Sequence, residues 1–182
     1  MVEIITIVVT VGLVAFPFLW KKYTARPENT IEILFTGGSK RTRGLSPRNK
    51  SDASMYANEI IHFYDLKWDF DLTIRNNSDV DSFYTTIEIR PELDGKINIL
   101  NKNELNTIES KSELVLKCNY QKQIESTPPN SPNMHSLPDE FDSLKILLSY
   151  KNRYRTKFYT LFDNSTANPV IFLRKAPMGF AS

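Results

Sequence analysis

The sequence predicts an all-β fold: a single antiparallel two-sheet β-sandwich of about seven strands, preceded by one N-terminal transmembrane helix. Three observations predict it. Residues 4–20 contain no charged side chain. Leu66, Trp68, Phe70, Leu72 and Ile74 alternate strictly with Lys67, Asp69, Asp71, Thr73 and Arg75, the period of a strand with one dry and one wet face. Beyond Trp20, turn signals recur at roughly ten-residue intervals. The predicted order is a short tail (1–3), an anchor (4–20), a juxtamembrane linker (21–29), the sandwich domain (30–173) and a loose tail (174–182).

The anchor is justified by length and by its borders. A helix over Ile4–Trp20 is about 25 Å long, near the lower limit for crossing a bilayer core. A cleavable signal would need a basic start and small residues at the cleavage site. Here Met1, Val2 and Glu3 precede the span, and bulky Phe16, Phe18 and Trp20 close it. Trp20 and Tyr23 suit the headgroup layer, and Lys21 and Lys22 can snorkel beyond it. Residues 21–50 hold eight Lys/Arg against Glu28 and Glu32, whereas no Lys or Arg precedes the span. Basic residues close to a span stay inside, so the expected topology is N-terminus outside, domain cytoplasmic. The lone cysteine, Cys118, rules out an intramolecular disulfide, which is ordinary in a reducing compartment.

The net charge of +2 is unevenly spread. With +6 on residues 21–50 and −1 on the first twenty, the rest of the chain carries −3. The folded part is therefore slightly acidic, which argues against a nucleic-acid binder. Residues 40–50 form the core of a basic loop (37–50) that could touch anionic lipid at about 1 kcal/mol per cation.

Ile31–Thr36 alternates and is β-branched, a first strand stopped by Gly37-Gly38. The strand through Leu66–Arg75 ends at Asn76-Asn77-Ser78-Asp79, which is turn chemistry. Phe83, Thr85, Ile87 and Ile89 resume the alternation, so the two are expected to pair. Leu93-Asp94-Gly95-Lys96 signals a hairpin into Ile97–Ile99. Glu113–Ile124 reads as a strand with Leu114, Leu116, Cys118 and Tyr120 inward, making Cys118 a small core hydrophobe. Four prolines break residues 126–139 into an irregular loop around Met134. Leu144–Tyr150 and Tyr154–Phe162 form a last hairpin, with Lys151-Asn152-Arg153 as the turn and a tip that carries Lys151, Arg153, Arg155 and Lys157 at alternate positions. Val170–Leu173 could add a strand beside it. In strand count and length this layout resembles an immunoglobulin-like or fibronectin-like architecture, without the inter-sheet disulfide.

No catalytic constellation emerges. His62 and His135 are far apart and lack a paired nucleophile. One cysteine and two distant histidines do not make a zinc site. Asp69 and Asp71 share a face but are flanked by Lys67 and Arg75, which reads as a salt-bridged surface. The expectation is a non-enzyme without cofactor or metal: a membrane-tethered interaction module whose partner is a protein. Lys151, Arg153, Arg155 and Met134 are its candidate contact residues, and Trp20, Lys21, Lys22 and Tyr23 mark the membrane interface. The alternative is an extracytoplasmic ligand-binding domain, for example for glycans, with Tyr154 and Tyr159 as stacking platforms.

Overall fold

The computed structural model describes residues 15–17, 19–22, 24–49, 59–90, 93–130 and 132–180. It is mostly β, with two antiparallel sheets of four strands each, consistent with a β-sandwich. The strands are β1 (Asn29–Leu45), β2 (His62–Asn76), β3 (Phe83–Arg90), β4 (Lys96–Ile99), β5 (Glu113–Ser126), β6 (Lys145–Lys151), β7 (Lys157–Asp163) and β8 (Val170–Leu173). One sheet has the order β1-β2-β5-β4 and the other β3-β6-β7-β8. Most of the predicted anchor lies outside the described residues. Of its remainder, residues 15–17 and 19–20 are helical, and among the described residues no helix is long and apolar enough to cross a membrane.

The alternating row on β2 does what its period predicts. Leu66, Trp68, Phe70, Leu72 and Ile74 are all buried, and four of them face the β5 residues expected to point inward. The register pairs Trp68 with Tyr120, Phe70 with Cys118, Leu72 with Leu116 and Ile74 with Leu114. Each such side chain contributes about 1.5–3 kcal/mol by leaving water. Rings knit the layers together: Trp68 stacks on Tyr120 at 5.5 Å, and Phe141 sets its edge against both Phe70 and Tyr120 at 5.4 Å. From the other sheet Ile146, Leu148, Tyr150, Phe158 and Phe162 close the core.

Four expectations need correction. The first strand does not stop at Gly37-Gly38, so 37–50 is not simply a loop: β1 continues to Leu45, paired with β2 throughout. Register shifts at Phe35/Gly37 and Thr42/Gly44 absorb the glycines as bulges. β2 and β3 do not pair. Asn76 is buried and donates to the Val80 carbonyl at 2.8 Å, within the turn that leads to the opposite sheet, where Ile87 and Ile89 pair with Leu148 and Ile146. Asp94-Gly95 likewise links two sheets rather than a hairpin, since β4 pairs with β5. Among the described residues there are eight strands rather than about seven, because Val170–Leu173 does join β7.

The two sheets differ in length. β1, β2 and β5 have 17, 15 and 14 residues, whereas β3, β6 and β7 have 8, 7 and 7. The long sheet therefore overhangs its partner at the end where β1 meets β2. The proline-rich loop fills the gap, packing Met134 and Leu137 against the core. Gly38 permits this approach, since a Cβ there would collide with the Met134 carbonyl oxygen.

Candidate functional site

The end of the sandwich opposite the overhang is built around Asn152. This residue follows β6, is 1% exposed, and takes both halves of its amide into hydrogen bonds. Its Oδ1 accepts from the Tyr154 and Thr156 amides at 2.9 and 3.0 Å, which shapes the β6–β7 turn. Its Nδ2 donates to the Lys22 and Ala25 carbonyls at 3.1 and 2.9 Å. Those carbonyls lie at the C-terminal end of the helical residues 19–22 and 24, where oxygens lack intrahelical partners. The Thr156 hydroxyl also donates to Lys22 at 3.2 Å. One turn thus caps the segment that precedes the domain.

The following residues continue the clip. Tyr150 donates to the Pro27 carbonyl at 3.0 Å, and its hydroxyl meets that of Thr160 at 2.9 Å. Burial, opposed by the Thr160 contact and the Arg26 charge, leaves the Tyr150 phenol above its ordinary range. The Arg26 guanidinium donates to the Tyr159 and Leu173 carbonyls at 3.2 and 3.4 Å. It also lies over the Phe172 and Phe158 rings at 5.0 and 5.8 Å. The linker is therefore a docked element, laid along β7 and β8.

The predicted contact residues divide between the two ends. Lys151, Arg153 and Arg155 surround the capped turn, beside Lys21 and Lys22. Lys151 lies over the Tyr84 ring at 5.5 Å, and Arg153 over Tyr154 at 4.8 Å while donating to its hydroxyl at 2.7 Å. Arg155 is exposed, with a φ of 61° that lets the turn close through its amide on the Asn152 carbonyl. Trp20 is 60% exposed and stacks on Phe16 at 5.9 Å. Tyr23 lies outside the described residues. Met134 belongs to the other end, half-buried against the core, so it is not an exposed contact beside the basic tip.

Tyr159 is 8% exposed beneath Lys157, and Arg153 covers one face of Tyr154, so neither offers an open stacking platform. Asp69 pairs with Lys67 at 2.8 Å and Asp71 with Lys117 at 2.7 Å, an ion-pair ladder on the wet face. His62 approaches the Tyr64 ring at 6.0 Å. Among the described residues no three His, Cys, Asp or Glu side chains gather as a metal site. Cys118 is buried, and burial, with the Asp71 charge adding, pushes its thiol up to about 11.

Sequence reading missed Asn152, Thr156 and Arg26. Asn152 stood in a plain turn signal, and nothing in a turn signal reveals what the amide donors on its far side will meet. A cavity of about 470 Å³ under the proline-rich loop was also unforeseen. It is lined by Leu66, Trp68, Ile124 and Leu137, with Lys122 held by Asp94 and Glu140 at its edge. Compared with known family models, curated proteins and solved structures, the chain has no match.

Proposed function

We propose that the chain is a membrane-tethered interaction module without catalytic activity, anchored through residues 4–20 and carrying an immunoglobulin-like domain on the cytoplasmic face. The observation that carries this reading is the clip: Asn152, Thr156 and Tyr150 hold Lys22, Ala25 and Pro27, and Arg26 reaches back to Tyr159, at the end bearing Lys151, Arg153 and Arg155. Whatever surface takes up the N-terminal helix then meets those cations too. An anionic bilayer face would favour each by about 1 kcal/mol. The exposed Phe16, Leu19 and Trp20 fit the same surface.

The strand order supports the finer architecture. Labelled A to G along the chain, the sheets read A-B-E-D and C-F-G, the arrangement of immunoglobulin-like sandwiches, with one strand added beside G. The differences are the lone cysteine and a core tryptophan on the second strand rather than the third. Such a fold by itself does not specify a function, so the proposal rests on the basic end. A tethered module gains effective concentration toward partners in the same membrane. The contact then falls on the hairpin tip, whose exposed Arg153 and Arg155 flank the residues that hold the linker.

The test substitutes Lys151→Glu, Arg153→Glu and Arg155→Glu together. In-cell crosslinking from membranes should lose the captured partner or lipid, with circular dichroism and melting unchanged. Undiminished capture overturns the assignment of the tip. Recovery of the full chain in the supernatant after ultracentrifugation of lysed cells overturns the tether. Digestion of the domain by protease added to intact cells overturns the cytoplasmic side and favours the extracytoplasmic alternative.

A further inference from the structure

The outer face of the long sheet carries a second basic feature, near the overhang and away from the hairpin tip. By register, Ser39, Lys67, Gln121 and Lys96 form one row across β1, β2, β5 and β4. Arg41, Asp65 and Gln123 form the next row, and Arg43 follows at the second bulge of β1. These side chains line a trough of about 540 Å³. Arg43 and Gln123 also border an adjoining hollow of about 360 Å³ walled by Phe63.

The charges in the trough are not balanced. Lys67 is held by Asp69 at 2.8 Å, and Asp65 accepts from Gln123 at 2.8 Å. The side chains of Arg41, Arg43 and Lys96 make no hydrogen bond or ion pair with any described residue. Arg41 and Arg43 stand about 7 Å apart along one strand, and Lys96 three strands away, about 14 Å across the sheet. Their long side chains can reach inward from both walls. A guanidinium fork matches phosphate oxygens in two parallel hydrogen bonds, and a lysine serves as a point charge for another. Concavity, three cations in no ion pair among the described residues, an excess of cations over the single carboxylate of Asp65, and the Gln121 and Gln123 amides on the floor describe an anion site with two lobes.

We propose that this trough binds a small ligand bearing two or more phosphate groups, with Arg41 and Arg43 gripping one and Lys96 the next. Phosphates could arrive on a soluble molecule or on a lipid headgroup. The trough lies nine to eleven residues along β2 from Asn76, hence about 30 Å from the clipped end. That distance is several screening lengths at physiological salt. A lipid of the tethering membrane does not reach so far, so the ligand is soluble. This last step rests on the tether; the anion site itself does not.

The test titrates the full chain in a neutral detergent with sodium tripolyphosphate by calorimetry, at physiological ionic strength. Saturable binding is expected. The double variant Arg41→Gln, Arg43→Gln should weaken it about tenfold or more, with an unchanged melting curve. The double variant Arg153→Gln, Arg155→Gln should leave it unaltered. Lys96→Gln, on a separate strand, keeps the test open should the arginine variant fail to fold. No saturable heat, or equal loss in both double variants, overturns the site. Preference for a single-stranded oligonucleotide over tripolyphosphate through the same residues also overturns it. A second arm uses phosphatidylcholine vesicles with and without a phosphoinositide bisphosphate. Capture by those vesicles in the absence of tripolyphosphate binding overturns the soluble source and assigns the phosphates to lipid.

Discussion

Replacing Asn152 with aspartate should release the N-terminal segment while leaving the hairpin in place. The carboxylate keeps the acceptor that organises the Tyr154 and Thr156 amides. It loses the Nδ2 donor and sets negative charge against the Lys22 and Ala25 carbonyls, 3.1 and 2.9 Å from the present nitrogen. Each donated bond contributes about 1 kcal/mol net, and repulsion between oxygens adds to the loss. The Thr156 bond to Lys22 and the Arg26 contacts remain, so the net cost of holding the segment rises by about 2 kcal/mol. That shift multiplies the released population about thirtyfold. Lys22 is a tryptic site inside the clip, whereas the Arg26–Pro27 bond resists trypsin, and cleavage after Lys22 tracks the open population when reclosing is fast. Timed digestion of the full chain in detergent should show faster cutting after Lys22 in Asn152→Asp, with an unchanged urea midpoint for the domain. Asn152→Ala should lower that midpoint as well, because it strips the turn of its acceptor. Cleavage of Asn152→Asp at the parental rate would refute the claim that this amide holds the segment.

Three further outcomes are expected. Gly38→Ala should displace the proline-rich loop, because the added methyl meets the Met134 carbonyl; faster proteolysis within 127–138 checks it, and an unchanged rate counts against that contact. Cys118 should alkylate in the native protein only as fast as the domain unfolds, since burial holds its thiol up near 11. The unfolded thiol ionises near 8.5, so stability is full below that pH and falls as pH rises toward 11. Cys118→Ala should reduce this alkaline loss in urea titrations. Asp163 is held below the usual carboxylate range by hydrogen bonds from Lys145 and then Ser165, against the effect of burial. Its contribution is present above about pH 4 and disappears as pH drops through the lowered folded value. Urea midpoints at acid and neutral pH should therefore differ less in Asp163→Asn than in the parent chain.

The parts of the fold legible in the sequence are those governed by one local signal. The β2 row was readable because five large apolar residues keep period two while facing a core. The β6–β7 hairpin was readable because alternation resumes on both sides of a short polar turn. Pairing between distant segments was not, since alternation says which face is dry and nothing about which strand lies alongside. The link from Asn76 to Ser82 carries turn residues in either topology; what decides is a tertiary contact, the two-way bridge of Ser82 with Ile108. The second half of β1 was hidden for another reason. Gly37 to Leu45 is exposed at nearly every position and has one apolar side chain, Leu45 at its end, so no alternation marks the strand. The basic tip of the candidate site was visible as charge, whereas the clip required a turn residue and a segment about 130 positions away to meet.

The unequal sheets also bear on how the molecule tolerates change. Where the long sheet outruns the short one, a connecting segment stands in for missing strands, held by Leu137 and by Phe141 at its root rather than by ladder hydrogen bonds. Lengthening a connection adds only about 0.6 kcal/mol of closure entropy per doubling. Insertions between Thr127 and Pro138 should therefore be accommodated without disturbing either layer, provided those two hydrophobic pegs stay seated. This half-roofed corner is where the scaffold has most freedom to acquire new surface.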